Sequence, residues 1–125
     1  MKNVFVLLII ILNSATGFAQ FAEFDFISKT THKWEKTNEG EQLNHYFVFK
    51  NIGDVPLIIN DAITSCSCTT VKTPQHPVLP NKMDSIGVSF DTNKKYYNQN
   101  RTIQLKANTK NDEQLRIKVF VIPKE

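Results

Sequence analysis

Two cysteines, Cys66 and Cys68, are the residues of this chain whose type and spacing could support chemistry. A single residue separates them, in the order Ser65-Cys66-Ser67-Cys68-Thr69. In an extended strand, side chains two residues apart point to the same face, so this spacing predicts that the two thiols project side by side. Adjacent thiols can form a disulfide, exchange with other thiols or bind a soft metal ion.

Three roles are open for the pair. A strand would hold the two Cα atoms about 6.5–7 Å apart, at the upper limit for a disulfide, so such a bridge would be easily reduced and suited to redox chemistry. As metal ligands, the two thiolates with His76, or with the thioether of Met83, would suit a soft ion such as Cu(I). Zinc would require four clustered ligands. The third role is local packing, and no other cofactor is predicted.

The first 19 residues have the order of a signal peptide. Lys2 precedes an apolar run over residues 4–12, and small residues follow, with Gly17 and Ala19 suited to the −3 and −1 positions of a cleavage site. The apolar run has nine residues, whereas a membrane-spanning helix needs roughly 20. We therefore predict cleavage after Ala19, no membrane span, and a periplasmic or secreted product that begins at Gln20.

The remaining residues 20–125 are expected to form one domain, because 106 residues (125 less 19) are enough for a single core. Lys2 is the only charged residue removed, so 15 basic side chains become 14 against 12 acidic ones, a net charge of +2. This balance argues against a nucleic-acid partner. We find no nucleophile elbow, phosphate loop or paired carboxylates, so the protein is not expected to be an enzyme.

Apolar residues alternate with polar ones along most of the domain, which predicts strands with one buried face. His45 and Trp34 fit this pattern as core or rim residues, with His45 hydrogen-bonded to backbone. Turn clusters separate about seven such runs, so the pattern favours an all-β, immunoglobulin-like β-sandwich. The residues predicted to face one interior are Phe47, Phe49, Ile86, Val88, Phe90, Ile103, Leu105 and Ile117.

The order of several motifs closely resembles a bacterial family called "domain of unknown function 1573". The motifs that show the resemblance are Asn51-Ile52-Gly53, then Pro56-Leu57, then the Ser-Cys-x-Cys-Thr segment. The resemblance covers about residues 30–122. Four positions differ: Lys33 and Glu35 stand where the family usually has Asp and Gly around the first aromatic residue, and Ser67 and Asn81 stand where it usually has glycine. The resemblance implies an exported, immunoglobulin-like domain related to the Hydin and major-sperm-protein types, and it implies no reaction.

Two functions follow from these observations. The first is a non-enzymatic interaction or structural module of the cell envelope, expected to be monomeric and to present strand edges or loops to a protein or glycan partner. The alternative is a thiol-redox or copper-binding protein that uses Cys66 and Cys68. Exposure of the two sulfur atoms and their distance from His45, His76 and Met83 would distinguish these functions.

Overall fold

The computed structural model describes residues 20–125, and the predicted signal peptide lies outside them. Within this range the chain forms strands and turns without a helix, and no helix is long and apolar enough to cross a membrane. The strands are β1 (Phe24–Phe26), β2 (Thr31–Lys33), β3 (Thr37–Asn38), β4 (Gln42–Asn51), β5 (Ile59–Thr64), β6 (Thr69–Lys72), β7 (Met83–Asp91), β8 (Tyr97–Ala107) and β9 (Glu113–Ile122).

The strands form two sheets. One has the order β1-β4-β7-β6, and the other has the order β2-β9-β8-β5, with β3 also paired to β9. These orders match the A-B-E-D and C-F-G sheets of an immunoglobulin constant-type domain. The chain changes sheet after β1, so β2 and β3 run parallel to β9 while the other named strand pairs are antiparallel. The predicted immunoglobulin-like sandwich is therefore confirmed.

The core lies between the sheets and contains the residues that the alternation predicted. All eight predicted interior side chains are at most 1% exposed. Successive strand residues point to opposite faces, so the long strands β4, β7, β8 and β9 each contribute a largely apolar face. Leu57 is also buried, but it makes only an isolated bridge to Val78, and the neighbouring Ile58 is exposed.

A buried asparagine fixes the turn between β4 and β5. Asn51 is fully buried; its side-chain amide donates hydrogen bonds to Val55 O (2.8 Å) and Val78 O (2.9 Å), and its Oδ1 accepts one from Gly53 N (2.9 Å). The long connection between β6 and β7 is therefore bound to the core at Val78 rather than lying wholly on the surface. At its end Asn81 has φ of 66°, the left-handed conformation that asparagine tolerates.

Candidate functional site

Cys66 and Cys68 form a disulfide in the turn that joins β5 to β6. The prediction that they lie in an extended strand is wrong. Thr69 N donates a hydrogen bond to Cys66 O (3.2 Å), which closes a four-residue turn and brings the two Cα atoms to 5.1 Å. This separation is well within the range of ordinary disulfides. The turn, rather than strand alternation, positions the two sulfur atoms.

The two sulfur atoms have different surroundings, although both cysteines are only partly buried. Cys68 N donates a hydrogen bond to Cys66 Sγ (3.1 Å), whereas Cys68 Sγ lies 3.9 Å from Thr69 Oγ1. Cys68 also packs against the core. An N–H group directed at a sulfur favours its thiolate form. The Cys68 N–H is therefore placed to stabilise negative charge on Cys66 Sγ.

Arg101 lies at the same end of the sandwich, and sequence reasoning missed it. Its guanidinium sits 5.7 Å from the centroid of the Phe90 ring, and Phe90 pairs with Thr69, next to Cys68. The following residue, Thr102, donates its N–H to Ser65 Oγ (3.2 Å). The Nε atom of Arg101 is buried without a hydrogen-bond partner. The sequence does contain a signal for this position. Arg101 lies two residues before Ile103 and four before Leu105, so strand alternation places it in the same inward-facing row of β8.

The structure does not group His76 with the cysteines. His76 Nε2 lies 3.8 Å from Asp84 Oδ2 on an exposed connection, and the Met83 side chain is also exposed. Across residues 20–125, no three or more His, Cys, Asp or Glu side chains are placed together to hold a metal ion. The predicted ligand set of Cys66, Cys68 and His76 is thus not assembled in this arrangement, and copper binding stays a prediction.

Part of β4 has a free edge. Ile52 N donates to Glu23 O and Ile27 N donates to Val48 O, so the peptide groups of even-numbered β4 residues face the β1 side. Strand β1 pairs only with residues 49–51, because the chain then crosses to the other sheet. In the part of the chain that the structure describes, no strand continues this pairing along residues 42–47. The peptide groups of Asn44 and Tyr46 therefore point away from the sheet.

Comparison with known proteins identifies the family. A family profile described as a protein of unknown function (DUF1573) matches residues 26–121, which is most of the chain. The chain belongs to the DUF1573 family. No curated protein matches the chain significantly.

Solved structures similar to this DUF1573 protein share its sandwich fold. A protein of unknown function from Porphyromonas gingivalis has a TM-score of 0.64 and 17% identity, over 87% of this chain and 50% of that one. A PapD-like domain of human CEP192 has a TM-score of 0.53 and 9% identity, over 83% and 87%. The YadV chaperone has a TM-score of 0.52 and 14% identity, over 83% and 52%. The chain thus spans half the length of the Porphyromonas protein, and identities this low show the fold alone.

Stacked aromatic rings close the interior of this DUF1573 domain beside the free part of β4. The rings of His32 and His45 stack with centroids 3.6 Å apart, and Trp34 and Phe47 pack edge-on against them. Burial lowers the pKa of both histidines, and the neighbouring His32 lowers the pKa of His45 further. The predicted rim position of His45 is confirmed, but its observed partners are rings rather than a backbone group.

Proposed function

We propose that this protein is an exported, non-enzymatic binding module of the bacterial cell envelope. It binds an extended segment of a partner protein, which pairs with β4 as an additional strand. The observation that carries this proposal is the free edge at residues 42–47. Unpaired N–H and C=O groups on a sheet edge are a template for a further strand, and several binding domains recognise extended peptides in this way.

The other strand edges carry features that discourage pairing. Strands β1, β2 and β6 have only three or four residues, and β2 and β6 each end in a lysine. The pairing of β5 with β8 shifts register between Ile59 and Asp61. Short strands, charges and irregular pairing are the usual protections of an edge. Residues 42–47 of β4 contain no proline and no lysine, arginine or acidic residue, so this edge has none of the sequence-encoded protections.

An added strand would also meet side chains on both faces of β4. On the outer face Tyr46 is 66% exposed and lies across Gly87, where a hypothetical Cβ would be 3.1 Å from its ring. On the inner side, the stacked pair of His32 and His45 closes the gap between the sheets. Main-chain hydrogen bonds would supply affinity, and these two aromatic surfaces would select the alternating side chains of the partner.

Photo-crosslinking in cells tests this binding mode. A photoreactive amino acid at Gln42, on the outer face of the free edge, is expected to give discrete adducts with a protein partner. The additional change Asn44→Pro should remove them, because it deletes an edge N–H while leaving the β4–β7 ladder intact. The same reactive residue at the exposed Gln104 of β8 is the control. Mass spectrometry of the adducts identifies the crosslinked peptide and the first residue of the mature chain.

Three results are expected from the crosslinking experiment. Adducts must be several-fold more abundant at Gln42 than at Gln104, must come from the envelope fraction, and must contain a chain that begins at Gln20. Equal adducts at both positions would refute edge binding, and full-length chain with Met1 in the cytosol would refute export. Adducts with a second copy of this chain would replace the partner with self-association.

The observed Cys66–Cys68 disulfide favours thiol–disulfide exchange as a second candidate function. Stabilisation by a disulfide grows with the length of the loop it closes, so a separation of two residues makes this bond a poor structural staple. Both cysteines are partly exposed, although Cys68 also packs against the core. The N–H of Cys68 would stabilise the thiolate that Cys66 releases.

The exchange reaction balances with a dithiol protein as the reductant. Its thiolate attacks Cys68 Sγ, a mixed disulfide forms, and Cys66 leaves as a thiolate. The second thiol of the reductant then attacks the mixed disulfide, so that Cys68 is released and the reductant becomes a disulfide. Two electrons pass to the Cys66–Cys68 pair in this sequence.

Redox titration and alkylation test this second function. Protein purified without reductant is expected to resist alkylation, and a glutathione titration should reduce the bond at a potential above about −300 mV, where exchange-active disulfides lie. Metal analysis of the same sample, oxidised and reduced, tests copper binding by the pair. Cys66→Ser and Cys68→Ser, each alone, show which thiol reacts faster with iodoacetamide, and Cys66 is expected to. Two freely alkylated, metal-free thiols in the untreated protein would exclude both roles.

A further inference from the structure

An open cleft of about 750 Å³ lies on the outer side of the second sheet. It shares no residue with β4 or with the disulfide turn, although Trp34 in its wall also packs against the stacked histidines. Residues 34–36 form one wall, where the chain leaves β2 before it rejoins β9 as β3. The other lining residues come from the neighbouring strands β8 and β9. Its volume falls within the ordinary range of ligand-binding pockets.

The cleft is positively charged. Three lysines line it, Lys33, Lys36 and Lys118, against a single acidic residue, Glu35. Within residues 20–125 the ion pairs are Lys106–Asp112 and His76–Asp84, so none of the three lysines is paired with a carboxylate. Three lysines less one glutamate give the cleft a net charge of +2, equal to that of residues 20–125 as a whole. This concentration of charge makes the cleft complementary to an anionic ligand.

The floor of the cleft combines an aromatic ring with side-chain amides. Phe120 lies opposite Asn98, and Lys118 lies opposite Asn100, in the antiparallel register of β8 and β9. These residues alternate with the buried Val119, so they share the outer face of the sheet. Lys36 Nζ lies 5.9 Å from the centroid of the Phe120 ring. The ring, the amides and the ammonium groups therefore converge on one space.

We propose that this cleft binds an acidic polysaccharide, with sugar carboxylates at the lysines. The Phe120 ring offers a flat apolar surface for the C–H face of a sugar ring. The Asn98 amide can bond hydroxyl groups, as can Nδ2 of Asn100, whose Oδ1 already accepts a hydrogen bond from Arg116 Nη1 (2.8 Å). An acidic peptide fits less well, because the adjacent edge of β9 is already paired with β2 and β3 and offers little free backbone for strand addition. This proposal rests on the cleft alone and does not depend on the β4 edge.

Titration calorimetry of the purified domain with polygalacturonate tests the proposal, with neutral dextran and polyglutamate as comparison polymers. The double change Lys36→Gln and Lys118→Gln is expected to weaken polygalacturonate binding about tenfold or more, which corresponds to about 1.4 kcal/mol. A matched control, Lys29→Gln with Lys82→Gln, removes the same charge from exposed positions outside the cleft and should leave binding unchanged. Circular dichroism and melting confirm that each variant is folded.

A third variant separates sugar recognition from simple charge attraction. Phe120→Ala keeps every charge and is expected to weaken polygalacturonate binding at least about fivefold while leaving any polyglutamate binding unchanged. Asn44→Pro, at the β4 edge, should alter neither. The proposal is overturned if dextran binds equally well, if the control pair of lysines matters as much as the cleft pair, or if polyglutamate binds as tightly and Phe120→Ala has no effect. The last result would assign the cleft to acidic peptides.

Discussion

Asn51→Asp is expected to lower the free energy of unfolding by about 3–5 kcal/mol at neutral pH. The wild-type amide donates to the carbonyl oxygens of Val55 and Val78, and the side chain is fully buried. Aspartate has almost the same shape but places a charged oxygen against those two carbonyls. The buried charge keeps only the N–H groups of Gly53 and Glu23 as partners, and both side-chain donors are lost. Changes of this kind are among the most costly single changes in a protein. Denaturant unfolding followed by Trp34 fluorescence measures the loss.

The exposed Asn60 provides the matched control, because Asn60→Asp makes the same chemical change at the surface and should cost under about 0.5 kcal/mol. The deficit of Asn51→Asp should also shrink as the pH falls. A buried carboxyl group has a raised pKa, so acid protonates it in the folded state first, removes the charge and restores one donor. A cost within 1 kcal/mol of the control at pH 7 would show that the Asn51 contacts do not hold the turn.

The predictable part of this fold is the part that strand geometry enforces. Side chains alternate across a strand wherever one face is buried, so Phe47 and Phe49 in β4, and Ile103 and Leu105 in β8, could be assigned to the core from sequence. The change of sheet after β1 could not be predicted from the sequence. Strands β2 and β3 have only three and two residues, and their pairing with β9 depends on contacts far along the chain rather than on local preference.

The candidate sites also contain features that the sequence could predict and features that it could not. Cys66 and Cys68 are neighbours in sequence, so their proximity was evident, but the turn that holds them depends on the Thr69–Cys66 hydrogen bond rather than on residue type. The stacking of His32 on His45 joins two sheets and has no local signal. The cleft likewise exists because residues 34–36 leave the sheet while β8 and β9 continue beneath them. Such sites depend on how distant strands are arranged, and no short stretch of sequence encodes that arrangement.

Phe47→Ala is expected to cost about 3–5 kcal/mol, a large fraction of the 5–15 kcal/mol that stabilises a typical domain. Phe47 is fully buried, pairs with Ile86 of β7 and supports the His45 ring at 4.6 Å. Truncation removes apolar contact and leaves a cavity beside the stacked histidines. Lys50→Ala, on the opposite face of the same strand, should cost under about 0.5 kcal/mol.

Chemical denaturation of both variants measures these costs, and hydrogen exchange shows where the structure loosens. Because Phe47 and His45 form the inner wall of the half of β4 that has no neighbour on one side, Phe47→Ala should raise amide exchange in residues 43–47 more than in residues 49–51, which β1 covers. Equal destabilisation by Phe47→Ala and Lys50→Ala would mean that β4 buries its other face. Uniform exchange along β4 would mean that the free edge is supported by the sheet as a whole rather than by the aromatic rings beneath it.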